Sequence, residues 1–141
     1  LYKWAKISAV DTNIGSDLKD KDIIEDFDWK VDEFISGLKP IAYRLNFHDG
    51  EEHHRIRLGF GAQDVSKLAH DINLGDMSMY QATIKGYNDE GEIEDIEYHG
   101  EPDIDDSMLT WTLSYNDFIA PVVLELQRLM ARVDALERNT A

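Results

Sequence analysis

The C-terminal stretch constrains the architecture of the chain most, because its apolar residues recur at the three- and four-residue spacing of a heptad repeat. Successive a and d positions hold Ile119, Val122, Leu126, Leu129, Val133 and Leu136. Val123 and Met130 fall at e positions and widen the apolar stripe. Pro121 lies in the first turn, where a missing N–H costs least. The pattern predicts an amphipathic helix over residues 117–138.

Two interpretations of this helix are open: packing on its own domain, and self-association. Fewer than three heptads are compatible with either. We favour self-association, because the helix is terminal and its apolar face is wider than a two-stranded seam requires. Arg132 at g and Glu137 at the following e position suit pairing between parallel chains. The sequence therefore predicts a homotrimer joined by this helix.

The composition excludes several classes of function. A chain of 141 residues with 43% hydrophobic residues has the size and character of one folded domain. Its net charge of -15 argues against nucleic-acid binding, because the phosphate backbone would be repelled. It contains no cysteine, and no apolar run approaches the roughly 20 residues of a membrane span. We therefore expect no thiolate site, no nucleic-acid partner and no membrane partner.

Helical spacing also occurs twice upstream. One predicted helix has an apolar face formed by Val31, Phe34, Ile35 and Leu38. Asp28 is its predicted N-cap, and Gly37 with Pro40 supplies the stop. In "QDVSKLAHDI", a second predicted helix has an apolar face formed by Val65, Leu68, Ala69 and Ile72.

Alternating apolar and polar residues predict strands in the other segments. A short alternation occurs over residues 2–10, and "MYQATIKGY" and "MLTWTLSY" read as further strands. The clearest signal is a hairpin in which both strands present one apolar face, formed by Ile41, Tyr43, Leu45, Phe47, Ile56, Leu58 and Phe60. The predicted fold class is α+β, with small antiparallel hairpins, short helices and a long C-terminal helix that assembles into a trimeric bundle.

Two clusters of potential metal ligands fit an ordinary solvated surface. Residues 86–106 are rich in Asp and Glu without Lys or Arg, which favours a loop or hairpin, and their spacing does not match an EF-hand. Imidazoles at the predicted hairpin turn offer an alternative zinc site, yet adjacent histidines on a strand point to opposite faces. That cluster comprises His48, His53 and His54. We expect no bound metal and no cofactor.

The stretch "NIGSDLKDKDI" contains a candidate nucleophile. A serine attacks when a neighbouring base removes its proton, and a desolvated lysine can be that base. Lys21 lies five positions after Ser16. This spacing does not place the two side chains on one helix face, although a turn can bring them together. The local sequence is compatible with a Ser–Lys dyad and equally with an ordinary solvated turn.

Four segments in this order carry a resemblance: "IGSDLKDKDI", "ISGLKPIAYRLN", "LGFGAQDV" and "LSYNDFIAPVVLELQRLMARVDALE". Together they resemble the C-terminal intramolecular chaperone domain of phage endosialidases, tailspikes and tail fibres. This family of self-cleaving chaperone-peptidases also includes the corresponding domain of myelin regulatory factor. The resemblance spans residues 12–137, and the acidic stretch is its variable part.

The resemblance implies a homotrimer that helps an upstream β-rich passenger to fold and then cleaves itself off. Ser16 matches the nucleophile of the family and Lys21 its general base, which makes Gly15–Ser16 the scissile bond. Residues 1–15 are then the end of a fibre or spike passenger, and residues 16–141 the chaperone autoprotease domain. The partners implied are further copies of the chain and its own passenger.

The resemblance further implies that Asp17 and Gln63 are supporting residues, and that the domain acts in the host cytoplasm during virion assembly. The passenger would end in the virion tail, and the domain would be released. One departure is that Asp17, Asp20 and Asp22 crowd Lys21, because nearby carboxylates favour a charged amine. The alternative function is a trimeric cap or receptor-binding tip that stays on the fibre without cleavage.

Overall fold

The computed structural model describes residues 16–46, 54–98 and 105–140. Its helices are α1 (Val31–Gly37), α2 (Ala62–Asp71) and α3 (Ile119–Thr140). Its strands are β1 (Ile41–Tyr43), β2 (Arg57–Gly59), β3 (Tyr80–Tyr87), β4 (Ile93–Glu97) and β5 (Thr110–Leu113). The predicted mixed α+β fold is therefore confirmed. The strand predicted over residues 2–10 lies outside the described residues.

Helix α1 forms where the apolar spacing predicts it, with Val31 and Phe34 buried. The predicted N-cap at Asp28 is wrong, because the helix begins after Lys30, whose side chain makes no capping hydrogen bond. Lys30 Nζ instead donates to the carbonyl of Ile72, at the end of α2, over 2.7 Å. The start of α1 is thus tied to the end of α2.

Strands β1 and β2 pair antiparallel, as predicted, but their faces differ from the prediction. Ile41 lies opposite Gly59, and Ala42 lies opposite Leu58. Residues directly opposite share a face, so Leu58 and Ile41 lie on different faces of the pair. The prediction of one shared apolar face is therefore wrong, and Leu58 is 82% exposed. The predicted turn, residues 49–54, lies outside the described residues except for His54.

The second sheet has the strand order β4–β3–β5, with both pairings antiparallel. The acidic stretch enters it as β4, so the hairpin alternative holds for that part. Asn88 organises the β3–β4 turn, since its side-chain oxygen accepts from the N–H groups of Glu90 (3.0 Å) and Glu92 (2.8 Å). Gly91 follows with a φ of 79°, in the left-handed region that favours glycine.

The core lies where α1, α2, β3 and the turn before α3 converge. Its buried members are Phe34, Val65, Met79 and Phe118. The Phe118 ring stacks on Phe60 at 5.2 Å and on Phe34 at 6.2 Å, measured between ring centroids. Around them pack the partly buried residues Ile35, Leu38, Phe60, Leu68, Ile72, Leu74, Met77, Tyr80 and Leu113.

Helix α3 is anchored at its base and exposed along the rest of its length. A 3₁₀ turn, Tyr115–Phe118, precedes it, and Pro121 is buried in its first turn, as predicted. Every residue from Leu126 to Thr140 is exposed. The long C-terminal helix is therefore confirmed, and it packs on the domain only near its start. Of the helices described, none is both long enough and apolar enough to cross a membrane.

Candidate functional site

The segment that carries Ser16 and Lys21 folds into a tight turn. Residues Leu18–Asp20 form one 3₁₀ turn, closed by two backbone hydrogen bonds of 3.2 Å each. Asp17 is its N-cap, because Asp17 Oδ1 accepts from the N–H of Lys19 over 3.0 Å. This capped turn reverses the chain over a few residues, which brings together two side chains that a regular helix would separate.

The Ser16 and Lys21 side chains are in direct contact. Lys21 Nζ lies 2.6 Å from Ser16 Oγ and 3.3 Å from the Ser16 carbonyl oxygen. A protonated amine donates to the hydroxyl at this distance, whereas a neutral amine accepts the hydroxyl proton and makes the oxygen a nucleophile. The arrangement is therefore suited to proton transfer from serine to lysine. Both residues are exposed to solvent.

The carboxylate nearest to Ser16 in the sequence is engaged by a different lysine. Asp17 Oδ2 forms an ion pair with Lys19 Nζ at 3.1 Å, while its Oδ1 accepts from the Lys19 backbone. These two hydrogen bonds, the backbone one first, hold the pKa of Asp17 below its ordinary value of 3.8. Asp20 and Asp22 make no side-chain hydrogen bond or ion pair in the described part of the chain. Asp17 is thus partnered by Lys19 and not by Lys21.

Three apolar side chains of the same segment are exposed in the part of the chain that the structure describes. Leu18, Ile23 and Ile24 are 74%, 61% and 71% exposed. Single exposed apolar residues are common, but three within the short segment that carries Ser16 and Lys21 form a candidate contact surface. We call residues 16–24 the dyad segment.

The heptad stripe of α3 faces away from the domain. Its six a and d residues are all exposed, from 43% for Leu129 to 65% for Leu136. The helix contacts α1 by another side, where Pro121 is buried and Arg128 Nη1 lies 3.7 Å from Asp32 Oδ1. The described part of the domain therefore does not bury the stripe.

Two carboxyl groups meet at the junction of α1 and α3. The hydrogen bond that the Glu125 carboxyl donates to Asp32, followed by burial and the negative charge of Asp32, raises the pKa of Glu125 above its ordinary value of 4.5. The same hydrogen bond lowers the pKa of Asp32 below 3.8, and the charges of Arg128 and Arg132 act in the same direction. The hydrogen bond between the two carboxyl groups therefore favours the protonated form of Glu125 and the charged form of Asp32.

Other residues predicted from the sequence are not brought to the dyad. Gln63 lies in the first turn of α2 with an exposed side chain and no side-chain hydrogen bond in the described ranges. Gly15, His48 and His53 lie outside the described residues. Across residues 16–46, 54–98 and 105–140, no group of three or more His, Cys, Asp and Glu residues could hold a metal ion.

Sequence reasoning missed the role of Lys19. Only the structure separates its ion pair with Asp17 from the contact of Lys21 with Ser16. The signal was present in the alternation of acid and base through "SDLKDKD", since an Asx cap places Lys19 over Asp17.

Scanned against models of known protein families, the chain matches none. A comparison with curated proteins finds none that is significantly similar.

Proposed function

We propose that this chain is an intramolecular chaperone that trimerises through α3, assists an upstream fibre or spike passenger, and releases itself by cutting Gly15–Ser16. The observation that carries the proposal is the contact of 2.6 Å between Lys21 Nζ and Ser16 Oγ. A serine hydroxyl and a lysine amine at this distance form a nucleophile and its base. The family resemblance of the sequence supplies the chaperone role and the position of the cut.

The chemistry follows from a serine beside the bond to be broken. Lys21 Nζ removes the hydroxyl proton while Ser16 Oγ attacks the carbonyl carbon of Gly15. The new C–O bond forms, the C–N bond breaks, and Lys21 returns the proton to the departing amine of Ser16. Water then hydrolyses the ester, which leaves a Gly15 carboxylate and restores the Ser16 hydroxyl. A glycine before the serine leaves its carbonyl open to attack.

Trimer formation is supported by the stripe on α3. Six a and d residues, together with Val123 and Met130 at e positions, are 43–65% exposed in the single chain. A helix with so wide an apolar face is stable in water when further copies cover that face. The width of the stripe favours three chains over two.

Assembly and cleavage are coupled in this proposal. A lysine exposed to water is mostly protonated at neutral pH, and desolvation favours its neutral form. The exposed Leu18, Ile23 and Ile24 provide an apolar surface that a neighbouring chain can cover. Cover over the dyad segment would exclude water from Lys21 and so activate the base only in the trimer. Cleavage then reports a correctly assembled passenger.

The setting implied by the resemblance is virion assembly in the host cytoplasm, with the passenger retained in the tail and the domain released. The competing function is an uncut trimeric cap or receptor-binding tip that stays on the fibre. The two differ in whether the Gly15–Ser16 bond breaks in an assembled trimer.

The test is a precursor with a folded tag upstream of residue 1, analysed by mass spectrometry and light scattering. We expect the unmodified precursor to be trimeric and cut before Ser16, and the Ser16→Ala precursor to be trimeric and intact. Ser36→Ala is the matched control, because Ser36 is an exposed serine whose Oγ donates to the Glu33 carbonyl, in α1. Cleavage of the Ser16→Ala precursor would overturn the autoprotease. An intact unmodified trimer would favour the cap.

A further inference from the structure

We infer that Asp17 and Lys19 are the positioning pair of the dyad: Asp17 builds the turn that returns Lys21 to Ser16, and Lys19 neutralises the Asp17 carboxylate so that it does not hold Lys21 in its charged form. This inference rests on the proposed function. It assigns roles to two residues whose side chains make no hydrogen bond or ion pair with Lys21 in the described residues.

The geometry divides the two oxygens of Asp17 between two tasks. Oδ1 accepts from the backbone N–H of Lys19 at 3.0 Å, which starts the 3₁₀ turn. Oδ2 lies 3.1 Å from Lys19 Nζ. One lysine therefore occupies both oxygens, through its main chain and its side chain. The turn and the charge pair are separable, because a substitution at Lys19 changes the side chain and keeps the backbone donor.

The charge pair is needed because the dyad requires a lysine without its proton. A carboxylate without a cationic partner favours the charged form of a nearby amine. The Lys19 ammonium cancels most of that field at the dyad, since the ion pair is nearly neutral at a distance. The other charged groups of the turn, Asp20 and Asp22, have no such partner in the described residues. The ion pair with Lys19 thus limits the effect of the Asp17 carboxylate on the dyad.

Four substitutions in the tagged precursor separate these roles, with the cleavage rate measured against pH. Lys19→Met keeps the backbone cap and removes the ammonium, so we expect the rate profile to move up by about half a pH unit. Lys19→Arg restores the charge pair and the original profile. Asp17→Asn keeps an acceptor for the cap without the charge, so its profile moves down. Asp17→Ala loses the cap and is slower at every pH.

The double variant Lys19→Met with Asp17→Asn removes both charges, and we expect its profile to return close to that of the unmodified precursor. Asp105→Asn is the matched control, because Asp105 caps the 3₁₀ turn Asp106–Met108 in the same way and accepts from the Ser107 N–H at 3.0 Å. It should leave the cleavage profile unchanged. Light scattering on each variant confirms that the assembly is retained.

The results distinguish this inference from the proposed function. Cleavage that depends on Ser16, with identical profiles for Lys19→Met and the unmodified precursor, would overturn the positioning pair alone. A downward shift for Lys19→Met would also overturn it, because the sign would be wrong. Cleavage that persists in Ser16→Ala would overturn the dyad and the positioning pair together.

Discussion

The packed body of the domain and its exposed apolar regions differ in how far the apolar side chains are buried within one chain. In the body, Phe34 is 2% exposed and Phe118 is 6% exposed, and each ring has neighbours from other elements. In the dyad segment, Leu18, Ile23 and Ile24 are 61–74% exposed, and the residues of the heptad stripe on α3 are 43–65% exposed. The body explains how the chain folds. The exposed apolar residues of the dyad segment and of α3 do not contribute to the core of one chain. Both candidate functions, the self-cleaving chaperone and the uncut cap, assign them to contacts between chains.

The largest expected effect is a loss of stability on substitution of a core residue in the packed body. Phe34→Ala removes a ring that stacks with Phe118, and we expect a loss of about 3–5 kcal/mol in the free energy of unfolding. That is a large part of the stability of an ordinary domain. Urea denaturation followed by circular dichroism measures it. Leu58→Ala is the control, because Leu58 is 82% exposed and its truncation should change stability by less than about 0.5 kcal/mol.

The next effect breaks the exposed stripe without touching the body. Leu126→Asp places a charge in the seam of the proposed trimer, where it lacks a partner, so we expect that trimer to dissociate into folded monomers. Sedimentation equilibrium measures the mass. Ala131→Asp, at an exposed f position outside the stripe, should leave the trimer intact. A monomeric unmodified chain would contradict the assembly.

A third effect concerns the dyad itself. Lys21→Ala removes the base, so we expect cleavage to slow by at least about 100-fold. Lys21→Arg should not restore it, because a guanidinium keeps its proton. Single-turnover cleavage of the precursor, followed on gels, measures the rates. Lys39→Ala, an exposed lysine outside the dyad segment, is the control. Fast cleavage in Lys21→Ala would assign the base to another group.

The smallest expected effect is on the pH dependence of stability at the contact between Asp32 in α1 and Glu125 in α3. The raised pKa of Glu125 means that its contribution to stability is present below its ordinary value of 4.5 and is lost as pH rises through the raised value. The lowered pKa of Asp32 acts oppositely, with stability present above 3.8 and lost as pH falls through the lowered value.

Glu125→Gln replaces a carboxyl group that donates only when protonated by an amide that donates at every pH. We expect it to raise the urea midpoint slightly near pH 7, with the gain shrinking towards pH 4. Arg138→Gln, on the exposed last turns of α3, is the control for removal of a charge from the helix. An increase in the urea midpoint that grows towards acid pH would contradict the raised pKa of Glu125.

Local periodicity predicted the helices and failed where distant contacts decide. Val31 and Phe34 mark the buried face of α1 from the sequence alone, because their spacing reports one side of a helix. The start of α1 after Lys30 could not be predicted from local periodicity. The Lys30 side chain donates a hydrogen bond to the carbonyl of Ile72, which is 42 residues away in the sequence. The faces of the first hairpin were missed because the register pairs Ala42 with Leu58, and alternation within each strand does not fix register.

The site was predictable as a pair of residues and not as a geometry. Spacing alone left Ser16 and Lys21 compatible with an ordinary turn, because five residues suit no regular face. The contact depends on a 3₁₀ turn capped by Asp17, and such caps follow from side-chain hydrogen bonds that periodicity does not describe. The division of the two lysines between Asp17 and Ser16 follows from the same turn.

The most direct test of the central claim is the N-terminal sequence and mass of the fragment released from a purified, trimeric precursor. Self-cleavage by the dyad predicts a fragment that begins at Ser16, formed at a rate independent of protein concentration once the trimer exists. A trimer that stays intact, or a fragment that begins at any other residue, would contradict the account.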